Sequence, residues 1–387
     1  MAVAATLGMS VSYIDRQTLA AIAPAVRSAL DIDHAQFGWL VSAFSMAYLV
    51  GAPAAGVVVD RLGARRGFAL AVVVWSIVAG AHALVTSFAT LFALRILLGA
   101  AEAPSFPAAA QAIRRALPGA SRPTAYGLLF TGSYLGAMVA APLALALEGR
   151  YGFRIAFAGT AIVGTAWIPF WLFMTRRMDA PEPERPRPAE APSTRWIDVA
   201  KSPPVLRAVV AVIGSAPGLM FVLNWSSQYL VEHWHLERTS ISGYLVVPAL
   251  MFDVGAVGFG WVLSRRETRT HRDILAISAA LAASLALAPL APSPAIAVVI
   301  FGAAACGGGG IYVSVTADML GRVPLDRTSS AGGMTAAAQS LAHIVASPLV
   351  GYAIDRTHGF GLVLVILGLV SIPTTIAFAF WPSLRGK

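Results

Sequence analysis

Apolar positions fall in blocks of about 20 residues separated by short polar turns, and the pattern repeats along the whole chain. Six blocks lie near 1–27, 36–59, 67–87, 90–112, 123–147 and 153–174. Six more lie near 205–232, 239–263, 273–291, 295–317, 328–352 and 359–381. A helix rises about 1.5 Å per residue, so a block of this length crosses the roughly 30 Å hydrocarbon layer of a bilayer. The spacing predicts an all-α membrane protein with 12 transmembrane helices in two six-helix halves, 1–174 and 205–387. Between them, residues 175–204 contain RRMDAPEPERPRPAEAPSTRW, whose Pro, Glu and Arg content cannot form a core and predicts an exposed linker.

Charge fixes the expected orientation. With the linker in the cytoplasm, alternate turns should hold most of the arginine and lysine. That side receives Arg61, Arg65, Arg66, Arg114, Arg115, Arg122, Arg207, Arg265, Arg266, Arg269, Arg272, Arg322 and Arg327, besides the linker and the C-terminal cations. The opposite side receives Arg27, Arg150, Arg154, Arg238 and Arg356. Both termini are therefore expected in the cytoplasm, and Arg16 and Arg95 are left inside helices.

Composition narrows the class. A chain of 387 residues that is 57% hydrophobic and 12% charged, with mean hydropathy +0.71, is too apolar for a water-soluble domain. Its net charge of +9 does not point to nucleic acid, because the basic residues sit in short clusters between apolar runs. Cys306 is the single cysteine, so no disulfide framework or thiolate metal site can form. The opening stretch carries Asp15 and Arg16 and reads as a mature helix, not a cleaved leader. Lysine occurs only as Lys201 and Lys387 against abundant arginine and alanine, which fits a GC-rich bacterial genome and an inner-membrane location.

Three motifs carry a resemblance. GVVVDRLGARR, residues 56–66, ends the second block with a glycine, an aspartate and a basic turn; Arg95 is followed at Gly99 in the fourth; Gly132, Gly136 and Pro142 mark the fifth. Together they resemble the signatures of the major facilitator superfamily, which implies two halves built from inverted three-helix repeats. The resemblance implies gating roles for Gly56, Asp60, Arg61, Arg65 and Arg95, although Arg95 could equally be a plain helix–helix tie. In the second half, GWVLSRR places Ser264 where an aspartate would be expected. Within the superfamily, YIDRQTL (13–19), SAFSMAYLVG (42–51), RILLGAAEAPSFPAA (95–109), TGSYLGAMVAAP (131–142) and PALMFDVGAVGFGW (248–261) resemble the anion:cation symporters of hexuronates and galactonate, relatives of vesicular glutamate and sialic acid carriers. Tyr134 departs from that group, where a polar residue is expected.

Ionisable groups at bilayer depth cost several kcal/mol unless paired or hydrated, so each is a functional candidate. The predicted helices hold Asp15, Arg16, Arg95, Glu102 and Asp253. Three acids against two bases leave one negative charge unmatched, and a proton on one acid resolves this. Arg16 is the candidate anchor for a substrate carboxylate, since a guanidinium stays charged and offers two parallel donors. Tyr13, three residues earlier, shares its helix face. The resemblance adds Tyr48 and Tyr134 to the site, Tyr48 being equally readable as a core tyrosine, and implies proton binding at Asp15 and Glu102. Arg95 and Glu102 are seven residues apart and about 10 Å apart along the axis, too far to pair directly. Pro104 and Pro107 should loosen the helix after Glu102. In the second half Asn224, Gln228, Tyr229, Gln339 and Ser340 offer hydrogen bonds to a hydroxyl-rich solute or, equally, helix–helix contacts. His343 and Asp253 are further candidates for coupling or for structural pairs, and Pro248 should kink the helix before Asp253. GGGG at 307–310 lacks the Lys and Ser or Thr of a phosphate loop and reads as close helix packing.

The expected function is proton-coupled symport of a small organic anion, a sugar acid or another carboxylate, by alternating access. The expectation includes no metal, no cofactor beyond the coupling proton, no nucleic-acid partner and a monomer in the bilayer. Carriers of aromatic or dicarboxylic acids share the mechanism. Drug efflux favours an acid-lined pocket, against which Arg16 argues, and a non-transporting solute sensor would need a signalling module. No Ser-His-Asp set, metal cluster or cofactor loop points to an enzyme.

Overall fold

A computed structural model describes residues 2–117, 122–176, 201–265, 272–323 and 328–381, all helix and connecting turn. The first half holds α1 (Ala2–Ala21), α2 (Ala23–Leu30), α3 (His34–Ala81), α4 (Phe88–Glu102), α5 (Ser105–Ala116), α6 (Arg122–Tyr151) and α7 (Phe153–Met174). The second holds α8 (Pro203–Asn224), the single turn α9 (Ser226–Gln228), α10 (Ser242–Ser264), α11 (Arg272–Ala283), α12 (Pro294–Leu320), α13 (Thr328–Thr357) and α14 (Gly361–Phe380). Among the described residues, 10 helical runs are long and apolar enough to cross a membrane. The linker residues 177–200 lie outside the described residues.

The helix breaks have local causes. Pro24 and Pro104 each stand at the start of a new helix, so the first and fourth blocks are split into α1–α2 and α4–α5. Asp33 caps α3 by accepting from Gln36 N at 2.6 Å, while Gln36 Oε1 accepts from Asp33 N at 3.1 Å. Within α3 the chain bends at Gly63, whose φ of +79° and ψ of 153° suit only glycine. Pro248 sits inside α10 without ending it. Close approach governs Gly136, where a β-carbon would lie 2.8 Å from Tyr13 Cβ, so α6 can pack directly on α1. The four glycines at 307–310 are buried within α12 and let it pack against α10 and α11.

Exposed apolar side chains recur at helical spacing, as with Val345, Leu349 and Tyr352 on α13 and Leu362, Ile366 and Leu369 on α14. Such stripes face lipid. Helices α1, α3, α4, α5, α6 and α7 pack among themselves, as do α8 and α10 to α14, and the two groups meet chiefly where α3 lies on α13 and α6 on α10. The buried apolar clusters show how they meet. One, around Phe68, Trp75, Trp167 and Trp171, belongs to the first group alone, and another, around Val205, Leu275, Val315 and Phe378, to the second alone. A third joins Ile22, Val26, Phe37 and Phe157 to Phe221, Trp225, Tyr229, Phe301 and Phe360. The halves therefore share a core at the end where α2 stops and α3 begins, called the far end below. Toward the end where α7 stops and α8 begins, each has its own.

Candidate functional site

In the last third of α1, Arg16 reaches α4 and donates from Nη2 to Glu102 Oε2 at 3.0 Å. Ser12, one turn earlier on the same face, donates from Oγ to that oxygen at 2.7 Å. Three rings surround the guanidinium: Tyr13 at 4.5 Å, Phe44 at 4.5 Å and Tyr48 at 5.1 Å from its carbon. Aromatic faces stabilise a cation without consuming its hydrogen-bond donors. The Glu102 side chain is fully buried, whereas that of Arg16 keeps 19% of its surface open, so the pair presents its positive member to the space between the halves. Arg16 Nε, Glu102 Oε1 and, from α13, His343 Nε2 are buried with no partner in the chain. Left so, each would cost about 1–3 kcal/mol, which a ligand or water could recover.

Asp15 points elsewhere. It shares a small cavity with His82, Arg95, Leu98, Phe157 and Thr160, entirely within the first half, and the Trp75 indole is the hydrogen-bonding group beside its carboxyl. Adjacent helix positions differ by about 100°, so Asp15 and Arg16 cannot serve one face. Arg95 lies in this same cavity, with its guanidinium carbon 4.9 Å from the Phe44 ring centroid, and not beside the bend at Gly63. Helix α4 starts at the far end, so a residue two turns into it stands on the far side of Glu102.

From the second half, Phe252 stacks on Tyr134 at 4.2 Å, and Tyr134 lies 6.5 Å from Tyr13, forming an aromatic bridge from Arg16 across the halves. Asp253, half-buried, follows Phe252 on α10. Gln339 and Ser340, also half-buried, share α13 with His343. The other second-half candidates are placed differently. Asn224 donates to Met220 O at 3.0 Å within its own helix. Gln228 is buried at the far end, accepting from Arg27 Nη1 at 2.9 Å, and Tyr229 packs among Phe301, Phe360 and His233. Helix α8 ends at Asn224 and the chain turns at Trp225, so the four-residue spacing of Asn224 and Gln228 does not put them on one face.

At the opposite end, Trp171 Nε1 donates to Arg65 O at 3.0 Å and Arg65 Nη2 to Leu172 O at 3.3 Å, tying the basic turn to α7. The side chains at Gly56, Asp60 and Arg61 lie outside the described residues. In the second half, Arg207 and Arg322 converge on Asp318, with Arg322 Nη2 at 2.9 Å. The sequence reading passed over this group, along with Ser12, Phe44 and His82. Ser12 and Phe44 had a signal, since each lies four residues before a selected residue, Arg16 and Tyr48, and so on its face.

The profile of the Major Facilitator Superfamily matches residues 5–347. The chain belongs to this superfamily. As a member it is a multi-pass membrane transporter and not an enzyme. This superfamily protein is 26% identical over 387 residues to the hexuronate transporter of Bacillus subtilis, covering 95% of this chain and 90% of that one. It is 26% identical over 416 residues to the hexuronate transporter of Escherichia coli K12, covering 99% and 93%. Among solved structures, an inward-facing, unoccupied bacterial homologue of the human lysosomal transporter Spinster superposes with a TM-score of 0.76 at 17% identity, covering 98% of this chain and 91% of that one, a likeness of fold.

Proposed function

We propose that this superfamily member imports a sugar acid such as a hexuronate, or a similar small carboxylate, together with protons. The observation that carries this reading is the Arg16–Glu102 pair inside its aromatic cage. Glu102 takes one of the five N–H donors of Arg16 and offsets its charge, so the ionised pair attracts an anion less than the guanidinium alone would. Protonation of Glu102 weakens its hold, frees Arg16 for the anion and keeps the buried charge balanced. Linkage makes the effect reciprocal, so a bound anion promotes protonation as much as a proton promotes anion binding. Asp15 carries a second proton in this state, because a buried carboxylate with little more than the Trp75 indole to hold it is costly to keep ionised. Arg95 and His82 share its cavity and set its electrostatics. Tyr13, Tyr48 and Tyr134 line the anion's place; Gln339, Ser340 and His343 face its hydroxyls.

The closed far end and the separated cores at the other correspond to an inward-open state of alternating access. The 10 apolar runs are joined in this reading by α1–α2 and by the 34–62 part of α3, which makes 12 crossings in two halves of six. The 175–204 segment and both termini are cytoplasmic, in a bacterial inner membrane, and the protein acts as a monomer. A thermal-shift screen of purified protein against hexuronates, aromatic acids and dicarboxylates at two pH values tests the reading. Stabilisation by hexuronates that is larger at the lower pH and absent in Arg16→Ala supports it; stabilisation retained in Arg16→Ala removes Arg16 as the anchor.

A further inference from the structure

The far-end closure rests on charged side chains as well as apolar packing. His34, the first residue of α3, lies between carboxylates of the other half. Its Nδ1 is 2.6 Å from Asp355 Oδ1 on α13 and its Nε2 is 2.7 Å from Glu232 Oε2 in the turn after α9. Asp355 also accepts from the backbone N–H of His34 at 3.3 Å and of Ala35 at 2.9 Å, at the start of α3. Arg27 of α2 donates to Glu232 and to Gln228, and its Nη2 is 3.1 Å from His34 Nδ1. Asp33, the cap of α3, is the remaining acid beside the cluster and is engaged by Gln36 N. The His34 ring stacks near Trp225 and meets Phe360 edge-on, neither of which titrates.

A doubly protonated imidazole satisfies both contacts at once, donating from Nδ1 to Asp355 and from Nε2 to Glu232, whereas a neutral ring has one N–H for the two carboxylates. Arg27 Nη2, the more distant neighbour of Nδ1, belongs to a guanidinium already held by Glu232 and Gln228. With the second proton, Arg27, His34, Glu232 and Asp355 sum to zero charge; without it, one negative charge is unmatched in a partly buried contact. When the halves part, Arg27 and His34 leave with one and Glu232 and Asp355 with the other, and the requirement lapses.

We infer that the far-end closure is itself a proton-binding site, in which one proton taken from the adjoining solution and shared among His34, Glu232 and Asp355 holds the two halves together, separately from Asp15 and Glu102. The inference rests on the alternating-access reading above. This proton enters and leaves on the same side of the membrane. It therefore sets how readily the door shuts and does not add to the protons carried across. An acidic exterior would shut the door behind a bound anion.

The test needs no substrate, so its outcome is independent of what is transported. In a Cys306→Ala background, nitroxides at Thr86→Cys and Pro292→Cys, exposed positions in far-end turns of the two halves, report the gap by pulsed spin-resonance distances in lipid nanodiscs. Carrying Glu102→Gln and Asp15→Asn in every sample silences the central acids. The expected result is a closed-to-open ratio that falls with rising pH, by up to about tenfold per pH unit over the range where the proton is released. His34→Gln should abolish that dependence. Asp355→Asn should keep the door shut at alkaline pH, because an asparagine N–H can donate to Nδ1 while Nε2 donates to Glu232, and a gain of closure cannot be mistaken for misfolding. A distance distribution that does not move with pH, a dependence that survives His34→Gln, or an Asp355→Asn protein that opens at alkaline pH as readily as its parent overturns the inference.

Discussion

Replacing Glu102 by glutamine isolates the coupling step. Only Glu102 Oε2 is engaged, by Ser12 and Arg16, while Oε1 has no partner, so the amide can keep the acceptor oxygen in place and put its NH2 where nothing is displaced. What disappears is the charge. Arg16 then meets an anion with its charge no longer offset by an ionised partner, a difference set at about 1.5–3 kcal/mol by the worth of a hydrogen bond to a charged group. That corresponds to an affinity gain on the order of 10- to 100-fold at alkaline pH, where the native carboxylate is ionised. The sign follows from linkage: in the native protein, binding should weaken as pH rises through the titration of Glu102, and in Glu102→Gln this component should vanish. Hexuronate titrations by calorimetry at several pH values, paired with counterflow and pH-driven uptake in proteoliposomes, read both consequences. Exchange should persist while uptake against a gradient is lost. A glutamine variant that still concentrates substrate, or binds it more weakly than the native protein at alkaline pH, refutes the assignment.

Other substitutions probe the remaining contacts. Arg16→Lys keeps the charge but loses the planar fork, and should weaken anion binding on the order of 10-fold or more in the same titration; unchanged affinity would show that charge alone suffices. Asp318→Asn leaves Arg207 and Arg322 facing each other without their shared anion and should cost about 3–5 kcal/mol, read as a lower melting temperature with no change in substrate selectivity. Gly63→Ala forces a side chain onto φ +79° and should cost about 1–3 kcal/mol, visible in thermal unfolding, whereas an unshifted melting temperature would mean the bend is not required.

Much of this was legible in the sequence because a bilayer imposes a length and a polarity on each crossing. The split after Glu102 at Pro104 and the gathering of Tyr13, Arg16, Tyr48 and Glu102 follow from residue types that are rare or costly in hydrocarbon. The far-end closure did not show itself. His34 and Asp355 are 321 positions apart and Arg27 and Glu232 are 205 apart, and each sits at a helix end where a charge needs no explanation. Spacing along a helix holds only while the helix is unbroken, and the chain turns at Trp225 before reaching Gln228 at the far end. The motif at Arg95 carries no depth, whereas the direction of α4 places it with Asp15 and His82.

The most direct test of proton-coupled anion import is uptake of a radiolabelled hexuronate into proteoliposomes under an inward pH gradient, with lumenal pH recorded by a trapped dye. The expected result is accumulation above the external concentration with matched lumenal acidification, both abolished by a protonophore. Uptake that stops at equal concentrations, or proceeds with no proton entry, would contradict it.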